Sequence, residues 1–195
     1  MTFRKICHNV ILNKKKYPYN INGLTQKQLI ANIGNIEFVK NSVKTLNQNR
    51  ADMILELENV KDKISDYDVI LLSVFYHDII YKATSKDNEE KSAEIAKKCL
   101  EKINISSEKI NKIYNQILAT KSHKRSDDSD TNFLLDADLA ILGKDWNVYE
   151  NYVHQIRKEY SIYPDFLYNP GRKKVLTHFL EFDEIFKTDY FKEKY

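Results

Sequence analysis

The run VILLSVFYHDIIY, Val69 to Tyr81, decides how this chain is read. From Val69 to Tyr76 it carries no charge, and its apolar residues fall on every side of a helical wheel, so it belongs at the centre of a helical domain. It is far too short to span a membrane. The acidic residues Asp66 and Asp68 just ahead of it supply a helix start. On this reading His77 and Asp78 stand in the middle of a buried helix. A buried carboxylate without a partner is expensive, about 3 to 5 kcal/mol when a buried pair is broken. A divalent metal is one remedy, because imidazole and carboxylate are both ligands. A satisfied core histidine beside an aspartate bonded to a helix end is the other.

Working outward, Thr25 opens a capping-box pattern followed by Leu29, Ile30, Ile33, Ile36, Val39, Val43 and Leu46 at helical spacing. A weaker helix carries Ile54, Leu57, Val60 and Ile64 on one side. Downstream, KATSKDN is a polar loop, and a helix from Asn88 holds Ala93, Ala96, Cys99, Leu100 and Ile103. Ser106 or Ser107 caps the next helix, with Ile110, Ile113, Tyr114, Ile117 and Leu118 as its stripe, ending near His123. SHKRSDDSDTN reads as a loop, and NFLLDADLAILG as a short helix closed by Gly143 at a left-handed position. Two further helices follow, one with Tyr149, Tyr152, Val153, Ile156 and Tyr160, the other opened by Asn169 as cap and Pro170 in its first turn. The expectation is an all-α single domain of about seven helices over residues 25–195, preceded by an irregular arm, 1–24.

Composition narrows the function. The chain has 195 residues, of which 42% are hydrophobic and 30% charged, enough for a real core. Lys and Arg number 31 against 28 Asp and Glu, a net +3 that speaks against nucleic acid or an anionic membrane as partner. Only four glycines and three prolines are present, few for an all-β fold, and the glycines are too dispersed for a phosphate-binding loop or dinucleotide fingerprint. Cys7 and Cys99 form no metal or disulfide pattern, which fits a reducing, cytoplasmic setting. The tyrosine stripe at 149, 152, 160, 163 and 168 is compatible with a homodimer contact.

Asp136 and Asp138 lie in a second apolar stretch, LLDADLAIL. Two positions apart, they cannot share a helix face, so one points inward and the other toward a helix end or loop. His123 sits where a third imidazole or a phosphate contact could enter. Lys121, Lys124, Arg125, Arg157 and Arg172 are cations that could neutralise a phosphate, or simply solvated helix faces.

Together these residues resemble the HD superfamily of metal-dependent phosphohydrolases, in particular a subgroup of predicted HD hydrolases. The blocks that carry the resemblance are FYHDIIYKATSKDNEEKSAEIA (75–96), ILATKSH (117–123), LLDADLAILG (134–143) and IRKEYSIYPDFLYNPGRKKVLTHFL (156–180), in the subgroup's order. The resemblance implies His77, Asp78 and Asp138 as ligands of a divalent metal (Mn, Mg, Ni, Co or Fe), with His123 as a further ligand or phosphate contact. It also implies Asp78 and His123 in catalysis, and the turn Asp87 to Glu90 beside the site, with Lys121, Lys124 and Arg157 as candidate substrate contacts. The implied activity is hydrolysis of a small phosphate ester, a nucleotide among the candidates. One block departs from the pattern. Where the subgroup has Y-H-N-L-x-H-I, this chain has Ile30 to Ile36, with Ala31 and Asn35 in place of the two histidines. An amide oxygen can hold a hard ion but is a poor substitute for imidazole. The alternative expectation is therefore a non-catalytic HD-like module that binds a phosphorylated ligand or a protein partner.

Overall fold

A computed structural model describes residues 47–82 and 85–195. The expected helix from Thr25, the arm 1–24, Cys7 and Asn35 lie outside these residues. The described part is helical, with no strand in it: α1 Asn47–Glu58, α2 Tyr67–Tyr76, α3 Asn88–Glu101, α4 Ser107–Ala119, α5 Ser129–Leu139, α6 Trp146–Glu159, α7 Asp165–Leu180 and α8 Asp189–Lys194. Short 3-10 turns occupy Lys61–Lys63 and Ala140–Gly143. The all-α expectation agrees with this architecture, and the described residues alone hold eight helices.

Helix α2 is the centre, packing against α1, α3, α4 and α5. It buries Val69, Ile70, Leu71, Leu72, Ser73, Val74 and Tyr76, as a helix apolar on all sides must. Met53 and Leu57 of α1, Leu100 of α3, Ile113 and Ile117 of α4, Leu134 of α5 and Phe191 of α8 close the core around it. Its start is doubly fixed. The Asp66 carboxylate accepts from the Val69 amide at 3.2 Å, and buried Asp130 accepts from the amides of Ser65 (2.8 Å) and Asp66 (3.1 Å) while pairing with Lys112 at 2.7 Å. Ser106 and Asp128 cap α4 and α5 in the same way.

Five local expectations need correction. His77 and Asp78 do not lie inside a helix, because α2 ends at Tyr76 and His77 is its C-terminal cap. The chain leaves the helix there because α3 offers other partners for its backbone. Asn88 both accepts from the Lys82 amide and donates to its carbonyl (3.1 Å each), and Ser92 Oγ accepts from the Ile80 amide at 3.1 Å. Helix α1 stops at Glu58, so Val60 and Ile64 are buried from a turn and the end of a 3-10 segment. Helix α5 begins at Ser129, inside the segment read as loop, because the Asp128 carboxylate takes the Thr131 amide and hydroxyl. Helix α7 begins at Asp165, not Asn169, which leaves Pro170 within it.

The α7 start is explained by Arg157, which holds Asp165 at 2.6 Å and donates to the carbonyls of Tyr160 and Tyr163 at 3.2 Å each, locking the turn between α6 and α7. These two helices bury no residue completely and expose Trp146, Phe166 and Leu180, and Ile162 is exposed in the turn between them. Gly143 is not a left-handed terminator, since no glycine among the described residues has positive φ. It is required for space: a Cβ there would stand 2.5 Å from Cβ and Cγ of Tyr195. No helix among the described residues is long and apolar enough to cross a membrane.

Candidate functional site

Three helix ends meet at one place. The end of α2 brings His77 and Asp78, the end of α4 brings His123, and the last turn of α5 brings Asp138. The His77 ring is buried, with Nδ1 2.8 Å from the Val74 carbonyl. A carbonyl can only accept, so Nδ1 carries the proton and Nε2 is turned toward the acids. It lies 3.4 Å from Asp78 Oδ2 and 3.8 Å from Asp138 Oδ1, and has no hydrogen-bond partner among the described residues. A lone pair facing two carboxylates needs a cation between them, either a proton on the ring or a metal ion.

His123 reaches the site through unusual backbone. Its φ is 50°, left-handed, and its amide bonds to the Ala119 carbonyl at 3.0 Å as the chain leaves α4. Such a conformation costs a non-glycine residue about 1 to 2 kcal/mol. It accompanies a ring that packs edge-on against Phe179 (5.8 Å) and sets Nε2 2.9 Å from Asp138 Oδ2. The loop that follows is pinned by Asn132, which accepts from the Ser126 amide at 2.8 Å and donates to its carbonyl at 2.7 Å.

Electrostatics follow from these contacts. Burial works to raise the pKa of Asp138, but the hydrogen bond with His123 and the charge of His77 pull it down to about 2. Burial likewise opposes ionisation of Asp78, and His77 overrides it and holds the carboxyl below its usual range. For His77, burial favours the neutral ring, while Asp78 and then Asp138 raise the pKa above its ordinary value. At neutral pH both acids are ionised, in keeping with a cation site.

The two aspartates of DADL divide as their spacing requires. Asp138 faces the site. Asp136 is fully buried and accepts from the amides of Lys187 and Thr188 (2.8 Å each) and from the Thr188 hydroxyl (2.7 Å), tying down the entry to α8.

Asp78, His123 and Asp138 line a cavity of about 270 Å³. Its remaining wall includes Asn49 from α1, Tyr81, Leu142, Tyr152, Ile156 and Glu159, together with Arg172, Leu176 and Phe179 from α7. Of the five candidate cations Arg172 lines this cavity, whereas Lys121, Lys124, Arg125 and Arg157 do not, nor do Asp87 and Glu90. Lys121 pairs with Glu90 and donates to the Lys86 carbonyl at 2.8 Å. Asp87 pairs with Lys91 at 2.7 Å, Lys124 is exposed, and Arg157 is committed to the α6–α7 turn. Asn35 lies outside the described residues.

Two neighbours were not anticipated. Asn49 lines the cavity and helps hold the Asp138 carboxyl below its usual range, and buried Arg50 donates through Nε to the same Val74 carbonyl that His77 uses, at 3.2 Å. Their only sequence signal was a polar N-Q-N-R start to an apolar helix, which also suits an ordinary helix end.

The donor set is nitrogen and carboxylate oxygen, which suits Mn²⁺, Mg²⁺, Co²⁺, Ni²⁺ or Fe²⁺. Among the described residues no group of three or more His, Cys, Asp or Glu side chains is placed to hold a metal ion. Ligands about 2.1 Å from an ion and at right angles are about 3.0 Å apart. The separations of 3.4 and 3.8 Å exceed that by an amount that rotation of a carboxylate covers, since its terminal torsion is soft. The donor types therefore suit a divalent cation, and these side chains would have to close further to hold one. No family profile, curated protein or solved structure matches the chain.

Proposed function

We propose that the chain is an HD-type, metal-dependent phosphohydrolase acting on a small phosphate ester, with nucleotides among its candidate substrates. The observation that supports this reading is buried His77 Nε2, without a hydrogen-bond partner and facing Asp78 and Asp138 beside a cavity. His77, Asp78 and Asp138 would hold the cation, with His123 adjoining and Asn35 as the upstream candidate. A divalent ion at such a site supplies Lewis acidity toward phosphoryl oxygens and makes water a nucleophile near neutral pH. The chain's own residues do the rest. The Val74 carbonyl fixes the His77 tautomer, and Asp138 orients the His123 ring. Asp78, 31% exposed, is open to the cavity and can take up a proton from an attacking water. His123, 13% exposed, stands beside the same space and can hydrogen-bond a phosphoryl oxygen.

A second reading is a non-catalytic HD-like module that binds a phosphorylated ligand or a protein partner. It is favoured by Ala31 and Asn35 in the upstream block and by the incomplete closure of the donor set. Elemental analysis of protein purified without chelator separates the two, followed by a phosphatase screen with Mn²⁺, Mg²⁺, Ni²⁺ and Co²⁺. The enzyme reading expects bound metal and metal-dependent phosphate release that Asp78→Ala abolishes. A folded, metal-free protein that releases no phosphate from any phosphomonoester or nucleotide removes it.

A further inference from the structure

The cavity has a second pole. Its α7 wall contributes Arg172, whose guanidinium lies over the Tyr152 ring of α6, 5.6 Å from its centre. The groups facing it are the phenols of Tyr152, Tyr149 and Tyr168. Nη2 is buried with no hydrogen-bond partner, and no carboxylate of the described residues forms an ion pair with Arg172. Leaving such a buried donor without a partner is costly, and more so when it is charged. Arginine also cannot escape the cost by losing its proton. A guanidinium held in this way is preorganised for an anion that arrives from outside. Of the three acids lining the same cavity, Asp78 and Asp138 are engaged with the two histidines, and Glu159 forms no ion pair with Arg172.

Much of the remaining wall is aliphatic and aromatic, with Leu142, Ile156, Leu176 and Phe179. The volume of about 270 Å³ lies at the lower edge of ordinary ligand pockets, which start near 300 Å³. That suits one small ring with a charged group rather than a dinucleotide or a polymer. We infer that Arg172, seated on Tyr152, is the oxyanion receptor of this cavity, and that its ligand is a small phosphate monoester with an apolar or planar body. The guanidinium fork matches phosphate and carboxylate alike, so the choice of phosphate rests on the hydrolase reading above.

The test is calorimetric titration of the purified full chain with phenyl phosphate, inorganic phosphate and benzoate. It is repeated on Arg172→Gln and Arg172→Lys, with circular dichroism and thermal midpoints as the check on folding. Phenyl phosphate is expected to bind more tightly than either of the other probes. The glutamine variant should lose at least tenfold of that affinity, and the lysine variant, which keeps the charge but not the fork, should fall between. Equal affinity in a folded Arg172→Gln overturns the assignment. So does benzoate binding as tightly as phenyl phosphate, or no binding of phenyl phosphate by the wild type. If the glutamine variant does not fold, Arg172→Lys decides: several-fold weaker binding supports the assignment and unchanged binding overturns it. Phenol release with added Mn²⁺ is followed in parallel. Arg172-dependent binding without release leaves the receptor in place and counts against hydrolysis of this ester, and the hydrolase reading is then decided by the wider phosphatase screen above.

Discussion

Replacing Asp136 by alanine strips the acceptor from two backbone amides and a hydroxyl at the entry to α8. The carboxylate is fully buried, its partners Lys187 and Thr188 lie at 2.7 to 2.8 Å, and Lys187 itself is only 4% exposed, so water has little access to replace it. Each stranded amide costs about 1 to 3 kcal/mol, and the Thr188 hydroxyl can rotate to another acceptor. Lys187 Nζ, 4.0 Å from Asp136 Oδ1, also loses a nearby counter-charge. The expected destabilisation is about 3 to 5 kcal/mol, a large share of the about 5 to 15 kcal/mol typical of a folded domain. The loss should concentrate where the bonds were. Phe191, the buried anchor of α8, depends on this entry, so amide exchange should rise first across Phe186 to Tyr195. The assay is urea denaturation followed by far-ultraviolet dichroism, with hydrogen exchange read by mass spectrometry. At a slope near 2 kcal/mol per molar, the midpoint should fall by about 1.5 M or more. Exposed Asp183→Ala is the control and should stay within about 0.5 kcal/mol. A midpoint for Asp136→Ala within the control's range, or exchange that rises uniformly over the molecule, would refute the reasoning.

Two further outcomes follow from the same contacts. Asp138, with its pKa pulled to about 2, lends stability that is complete above the ordinary carboxylate pKa. That stability drains as pH falls from about 4 to about 2 and is worth roughly 2 kcal/mol; the wild-type minus Asp138→Asn difference in acid unfolding should vanish across that window, and a difference that stays constant would be inconsistent with it. Gly143→Ala drives a Cβ into the Tyr195 ring, which also bonds Glu56 at 2.8 Å and packs on Phe186 at 5.4 Å; the expected cost is about 1 to 3 kcal/mol in denaturant melts, and a neutral result would mean that this ring moves freely.

Much of the architecture was legible in one dimension because its signals are local. An unbroken apolar run in a chain otherwise patterned as helices belongs at their centre, and α2 is buried on every side. Ser106 caps α4 because a hydroxyl ahead of an amphipathic stripe satisfies free amides. The division of labour between Asp136 and Asp138 was foreseen from spacing alone, since residues two apart on a helix face different ways. What was misread depended on partners far along the chain. A helix running through His77 and Asp78 is what propensity suggests, yet Asn88 and Ser92 capture the backbone beyond it. Gly143 looked like a terminator, and its role is to make room for a ring more than fifty positions away.

For the site, the sequence by itself determined which groups could do chemistry: one histidine–aspartate doublet, a distal aspartate and a further histidine. Only the tertiary structure decided that the ends of α2, α4 and α5 meet, bringing His77 within 3.8 Å of Asp138 and Asp138 within 2.9 Å of His123. It also selected Arg172 from five candidate cations, sending Lys121 to Glu90 and Arg157 to the α6–α7 turn. The reason is physical. Burial cost identifies a charged residue that needs a partner from its neighbours in sequence, whereas the partner's identity is set by which helix ends the packed core brings together.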